Sequence, residues 1–279
     1  MPITVGGAVL DLVMEGDAPP LPVERFAEWV RSCAQMIADY FGGALPVPGL
    51  EIAIVVSGGG TVGFGSHQDG RWIRVRVGRQ ISERTFVLDW TMVHEMLHAC
   101  FPDLDDDHRW MQEGLSTYLE PIVRARAGQI THERVWERWT DNMHNGRPGL
   151  LDRGLDRTHT WGRTYWGGAV FWLVADIRLR QATAGRKSLR DVMMHLASIG
   201  ANGRVDWSTA QVLEAAEAGT GSTAITEVYR EQALAPGDTD LDGLFAALGV
   251  VRSQGGSITF DERAPLAAIR RAITHVEPR

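Results

Sequence analysis

Residues 93–100 read VHEMLHAC, and the rest of the chain is best read outward from this stretch. His94 and His98 are four positions apart, and Glu95 follows the first. On a helix, residues four apart share a face, so both imidazoles can point at one cation. Glu95 is turned by about 100° from His94, which places it beside the cation rather than on it. In such an arrangement the two histidines hold zinc, and the glutamate handles the proton of a zinc-activated water. The plainer alternative is a pair of surface histidines bonded to water or backbone.

A catalytic zinc needs a third protein ligand and one open position. After the turn FPDLDDD, the segment WMQEGLSTYLE (110–120) predicts a second, antiparallel helix and offers Glu113. Gly114 has no Cβ and allows two backbones to approach closely. Glu120, two turns further along the same face, is placed to accept the outer N–H of a ligating histidine.

Upstream, residues 22–41 predict an amphipathic helix with Phe26, Trp29, Val30, Cys33, Ile37 and Tyr40 on one stripe. LEIAIVVS (50–57) is a short β-type run. RWIRVRVG (71–78) alternates strictly, with Ile73, Val75 and Val77 on one side and Arg74 and Arg76 on the other, so it predicts a strand with one wet face. Downstream, FVLDWTMVHEMLHACF predicts one helix and RWMQEGLSTYLEPIVRARAG another. After a polar loop (146–163), TYWGGAVFWLVADIRLRQAT predicts a long buried helix. Ser188 and Asp191 form a capping pattern, and further helices are expected at 222–234, 240–248 and 264–275. The chain therefore divides into a strand-bearing part, residues 1–84, and a helical part, residues 85–279.

Two inviting motifs fail on context. GGGTVG (58–63) matches a dinucleotide fingerprint, but a strand follows it where a helix must open. DTDLDG (238–243) begins like a calcium loop, but the twelfth position is Gly249 rather than a bidentate glutamate, so a helix cap is the better reading.

The net charge of −7 and pI of about 5.7 give no electrostatic case for nucleic acid. With 44% hydrophobic residues, 279 residues can bury a sizeable core without disulfides. No apolar stretch is long enough to span a membrane. The N-terminal segment has no basic region ahead of its apolar run, so a cytoplasmic location is expected. Cys33 and Cys100 lie among apolar residues and read as buried free thiols.

HExxH followed by W-x-x-E-G-x-x-x-Y resembles the gluzincin zinc metallopeptidases. The glycyl aminopeptidase family is the nearer likeness, and the alanyl aminopeptidase/leukotriene hydrolase family the more distant one. The likeness covers roughly residues 22–200. It includes YFGGALPVP before a strand, TYWGGAVFWLVADIRLR and SLRDVM. It implies an α+β, thermolysin-like, two-lobed zinc peptidase domain: a small N-terminal β-sheet lobe with one helix, then a mainly helical lobe. It implies one Zn2+ per chain on His94, His98 and Glu113, with Glu95 as general base and a peptide or protein as substrate. It also gives Tyr165 the task of donating a hydrogen bond to the oxyanion, for which a neutral phenol in a dry site is well suited. His159 and Arg163, just before it, are secondary candidates to assist. One departure stands out. In those families a glycine-rich edge strand carries a glutamate that holds the substrate's α-amine, whereas GGGTVGFGSHQ (58–68) has no acid. Two other functions fit the same residues: a catalytically silent zinc-containing protein that binds extended peptides, and a zinc hydrolase acting on a non-peptide bond.

Overall fold

The computed structural model describes residues 1–275. They form a mixed α/β chain with an N-terminal sheet and a mainly helical remainder, grouped in two compact units. The first comprises Met1–Asp103 and Leu196–Trp207, and the second comprises Leu104–His195 and the chain from Ser208 onward. This division falls later than the sequence boundary at 84/85, because the helix carrying HExxH packs against the sheet.

The first unit is built on a five-stranded sheet. Its strands are β1 (Pro2–Val5), β2 (Ala8–Gly16), β3 (Gly49–Ser57), β4 (Val62–Gln68) and β5 (Trp72–Gly78), in the order β1-β2-β3-β5-β4. The first two form a hairpin whose alternate residues Ile3, Val5, Ala8, Leu10 and Leu12 are buried. β2, β3 and β5 run parallel, with Leu12 opposite Ile52 and Ile54 opposite Val75. Parallel neighbours need a crossover, and α1 (Val23–Tyr40) supplies it between β2 and β3. Its stripe from Phe26 to Tyr40 is buried as the periodicity predicts. β5 also follows its pattern, with Ile73, Val75 and Val77 buried and the arginines exposed. β4 turns back antiparallel to β5 and forms the sheet edge.

α2 (Glu83–Leu88) and α3 (Thr91–His98) replace the single helix predicted across residues 86–101. The break has a local cause. Asp89 is extended, and its carboxylate accepts from the N–H groups of Thr91 (2.9 Å) and Met92 (3.1 Å). A side chain that satisfies the first free N–H groups starts a new helix. α3 packs on α1, β4 and β5. The loop after α3 is pinned by segment 196–207, with the Asp103 N–H donating to the Val205 carbonyl (3.0 Å) and the Gly203 N–H to the Ala99 carbonyl (3.0 Å).

In the second unit the helices are α4 (Arg109–Arg126), α5 (His132–Asn142), α6 (Gly168–Ala182), α7 (Leu189–Ser198, of which the residues from Leu196 on belong to the first unit), α8 (Thr209–Thr220), α9 (Ala224–Gln232), α10 (Leu241–Ala247) and α11 (Ala267–Thr274). A two-stranded hairpin, β6 (Val250–Arg252) and β7 (Ile258–Phe260), precedes α11. α4 and α6 meet at Gly114 and Gly168, where a Cβ on Gly114 would lie 2.3 Å from the Gly168 carbonyl carbon. Buried Asp176 ties three helices together, accepting from the Tyr118 hydroxyl (2.9 Å), the Arg180 Nε (3.1 Å) and the Leu189 N–H (2.8 Å). The helix predicted over residues 164–183 begins instead with a π turn, Gly162–Gly167, before α6. Asp240 caps α10 through the Gly243 N–H (3.0 Å), as the capping reading of DTDLDG requires. Both cysteines are buried, and neither is in a disulfide.

Candidate metal centre

α3 is short, but it begins at a firm cap and every one of its residues is buried. His94 and His98 therefore project from one face with fixed backbones. Their Nε2 atoms are 3.3 Å apart. Two nitrogens bound to one tetrahedral zinc at the usual 2.0–2.1 Å sit about 3.3 Å from each other. The pair is thus spaced as zinc requires, and its chemistry, imidazole nitrogens with carboxylates nearby, suits zinc. The Trp90 ring meets the His94 ring edge to face (centroids 5.4 Å apart) and backs it on one side.

Glu95 is also buried. Its carboxylate lies between α3 and the edge strand β4. A Cβ on Gly65 would sit 2.4 Å from the Glu95 Cγ and 2.7 Å from its Oε1, so only glycine leaves the space that this side chain uses. His67, two residues further along β4, stacks flat on His98 with ring centroids 3.8 Å apart and 13° between planes. Its Nδ1 is 3.3 Å from the Glu95 Oε2. Donor atoms of His67, Glu95 and His98 all lie within 4.8 Å of one another, so this group is itself able to hold a cation. Sequence reasoning passed over His67. The signal was the alternation G-S-H, which puts Gly65 and His67 on one side of a strand, but it becomes informative only once the strand is paired.

The remaining candidates belong to the second unit. Glu113 is buried on α4, and Arg109, one turn earlier, donates to its Oε1 from Nη2 (3.1 Å). Partial burial opposes the charge on Arg109, but attraction to Glu113, reinforced by Tyr165, outweighs it and holds the guanidinium above its ordinary pKa. Tyr165 sits in the π turn, half-buried. Together with Asp106, Asp107, Arg109, Trp110 and Trp161 it lines a cleft of about 490 Å³. π turns inside helices occur often at functional sites. His159 lines the same cleft.

Two sequence expectations are replaced. Glu120 is fully buried, but its oxygens are taken by Arg124 (2.6 Å) and Arg138 (2.5 Å), so it serves as a structural anchor between α4 and α5 rather than a partner for a ligating histidine. Arg163 is held by Asp152 (2.8 Å) and donates to the Gly146 carbonyl (2.6 Å), which fixes the loop ahead of the π turn. The tryptophans divide between roles: Trp166 is core, Trp110 is buried and donates to Asp156 (2.9 Å), and Trp161 stands exposed at the cleft. Among the described residues no helix is long and apolar enough to cross a membrane.

No protein-family model matches the sequence, and no curated protein matches it. The fold, in contrast, has clear likenesses among solved structures. An aminopeptidase N family protein from Idiomarina loihiensis superposes with a TM-score of 0.69 at 15% identity, over 90% of this chain and 49% of its own. An M1 zinc metallopeptidase from Deinococcus radiodurans gives 0.50 at 17% identity, over 82% and 49%. A two-domain M1 zinc metallopeptidase variant bound to L-arginine gives 0.51 at 16% identity, over 86% and 53%. The chain spans about half the length of these proteins, and at such identities the likeness is one of fold.

Proposed function

We propose that the chain is a zinc-dependent peptidase of the gluzincin type, with His94, His98 and Glu113 as metal ligands, Glu95 as general base and Tyr165 as oxyanion donor. The observation that carries this reading is the 3.3 Å separation of the two Nε2 atoms on α3, with the Glu95 carboxylate held beside them. The sequence pattern W-x-x-E-G supports Glu113 as the third ligand, as does its burial. The fold shared with zinc aminopeptidases supports peptide hydrolysis.

Bound zinc supplies Lewis acidity, which activates a water and polarises the scissile carbonyl. The chain's own residues supply the rest. Glu95 accepts the proton of the attacking water and delivers it to the departing amine nitrogen. The Tyr165 hydroxyl donates to the carbonyl oxygen as negative charge grows there. Burial of the helix face that bears Glu95 keeps competing water from the carboxylate. Edge strand β4 offers free backbone groups to an extended peptide. It has no acid to hold a free amine, so N-blocked peptides are substrates in this reading.

The test is cleavage of a quenched-peptide library, with free and blocked N-termini, by the wild-type chain and by Glu95→Gln. Zinc-dependent cleavage that falls by several orders of magnitude in Glu95→Gln, with zinc retained, supports the proposal. Undiminished cleavage in that variant refutes Glu95 as base. Zinc binding without turnover of any peptide indicates the silent binding protein, or a hydrolase of another bond.

A further inference from the structure

We propose that His67 is a positioning residue that clamps both Glu95 and His98 onto the edge strand. The inference rests on the peptidase reading and adds to it a residue that the HExxH motif does not contain. The inward side of β4 carries Gly65 and His67, while Phe64, Ser66 and Gln68 are exposed and Gly63, ahead of a register shift, lies against Arg76. Gly65, which has no side chain, makes room for Glu95, and His67 closes the space with an imidazole. The register fixes this arrangement: Gly65 lies opposite Val75 and His67 opposite Ile73, and both partners are core residues of β5.

The two contacts of His67 do different things. His67 Nδ1 lies 3.3 Å from Glu95 Oε2, and since a carboxylate can only accept, the ring proton is assigned to Nδ1 as the donor. That bond occupies one oxygen and leaves Oε1, above Gly65, to meet a substrate water. The second contact is steric. The ring lies flat on His98 at 3.8 Å and stops that imidazole from rotating away from His94. Groups that orient metal ligands from behind typically change affinity or activity by roughly 10–100-fold when removed.

Three substitutions separate the contacts. His67→Ala removes both, His67→Phe keeps a ring against His98 without the donor, and His67→Asn keeps a donor near the Nδ1 position without the ring. The readouts are the zinc dissociation constant, measured by competition with a chromophoric chelator, and kcat and KM on a peptide that the wild-type chain cleaves. The alanine variant is expected to hold one zinc at saturation, with affinity weakened about tenfold and kcat reduced more than KM is raised. Phenylalanine is expected to restore the affinity and not kcat. Asparagine is expected to recover most of the kcat lost in the alanine variant. Affinity and kcat both within twofold of wild type in His67→Ala would overturn the proposal. So would loss of zinc even at saturation, since His67 would then be a ligand. Should the wild-type chain bind no zinc or cleave no peptide, the peptidase reading fails as well, and the unsubstituted protein alone reveals it.

Discussion

A Cβ placed on Gly65 would lie 2.4 Å from Cγ of Glu95. The edge strand and the proposed base therefore share one volume, and only glycine lets both occupy it. Gly65→Ala is expected to move the Glu95 side chain, which is the softer of the two partners, rather than the backbone of β4. General-base catalysis contributes roughly 10²–10⁴ in rate, so turnover should fall by at least tenfold, with zinc content and melting temperature near wild type. A variant with full activity would show that Glu95 does not need its present position.

Gly114 offers the contrasting case. The atoms that its added Cβ would meet, at 2.3–2.8 Å, are all backbone of Gly168. Backbone cannot swing aside, so Gly114→Ala must push α4 and α6 apart. Overpacking of this kind costs about 1–3 kcal/mol. Chemical denaturation is expected to show a loss of that size or larger, and an unchanged midpoint would contradict the close helix crossing.

The two cysteines should be silent in the native protein. Both are buried, the Cys100 thiol donates to the Met96 carbonyl (3.3 Å), and burial pushes its pKa well above the ordinary range. The thiolate is the reactive species. A thiol reagent at pH 8 is expected to label neither residue in the folded chain and both in denaturant. Rapid native labelling would contradict the packing around α1 or α3.

A pH effect is expected at the C-terminal end of the described chain. The His132 ring stacks on His275 with centroids 3.6 Å apart, and its pKa is lowered by burial and by the neighbouring imidazole, with Glu133 opposing. Its ordinary value is 6.5. Below that pH the unfolded chain takes a proton that the folded chain resists, so stability is lost as pH falls from 6.5 through the folded value. Above pH 6.5 the penalty vanishes. Thermal unfolding of the wild-type chain should weaken more between pH 7.5 and 5.5 than that of His132→Gln. Equal losses in the two proteins would remove His132 from the account.

Much of this architecture was readable where the pattern is local. The stripe of α1 and the alternation of β5 need no knowledge of neighbours, because burial on one face is written in the spacing. The fault lines lie where geometry is set at a distance or by one side chain. Asp89 splits the predicted helix because its carboxylate serves as a cap, a signal present in the sequence but masked by the apolar run around it. The β1–β2 hairpin and α5 also carry readable signals, period two in the first and Val135, Trp136 and Trp139 in the second. The π turn at Tyr165 has no comparable mark, since one extra residue in a helical turn is decided by packing.

The candidate site divides in the same way. His94, Glu95 and His98 announce themselves because helical spacing alone brings them together. Glu120 looked like part of the same site for the same reason, yet Arg138, from another helix, takes one of its oxygens. His67 was invisible for the opposite reason: its value arises from the pairing of β4 with β5, and a glycine-rich strand has little propensity of its own.

The central claim is that the HExxH face of α3 holds a catalytic zinc, and elemental analysis of the purified chain tests it most directly. One zinc per chain is expected in the wild type and in Glu95→Gln, and none in His98→Ala. A wild-type protein without zinc after purification in zinc-replete medium, or a His98→Ala variant that retains a full equivalent, would contradict it.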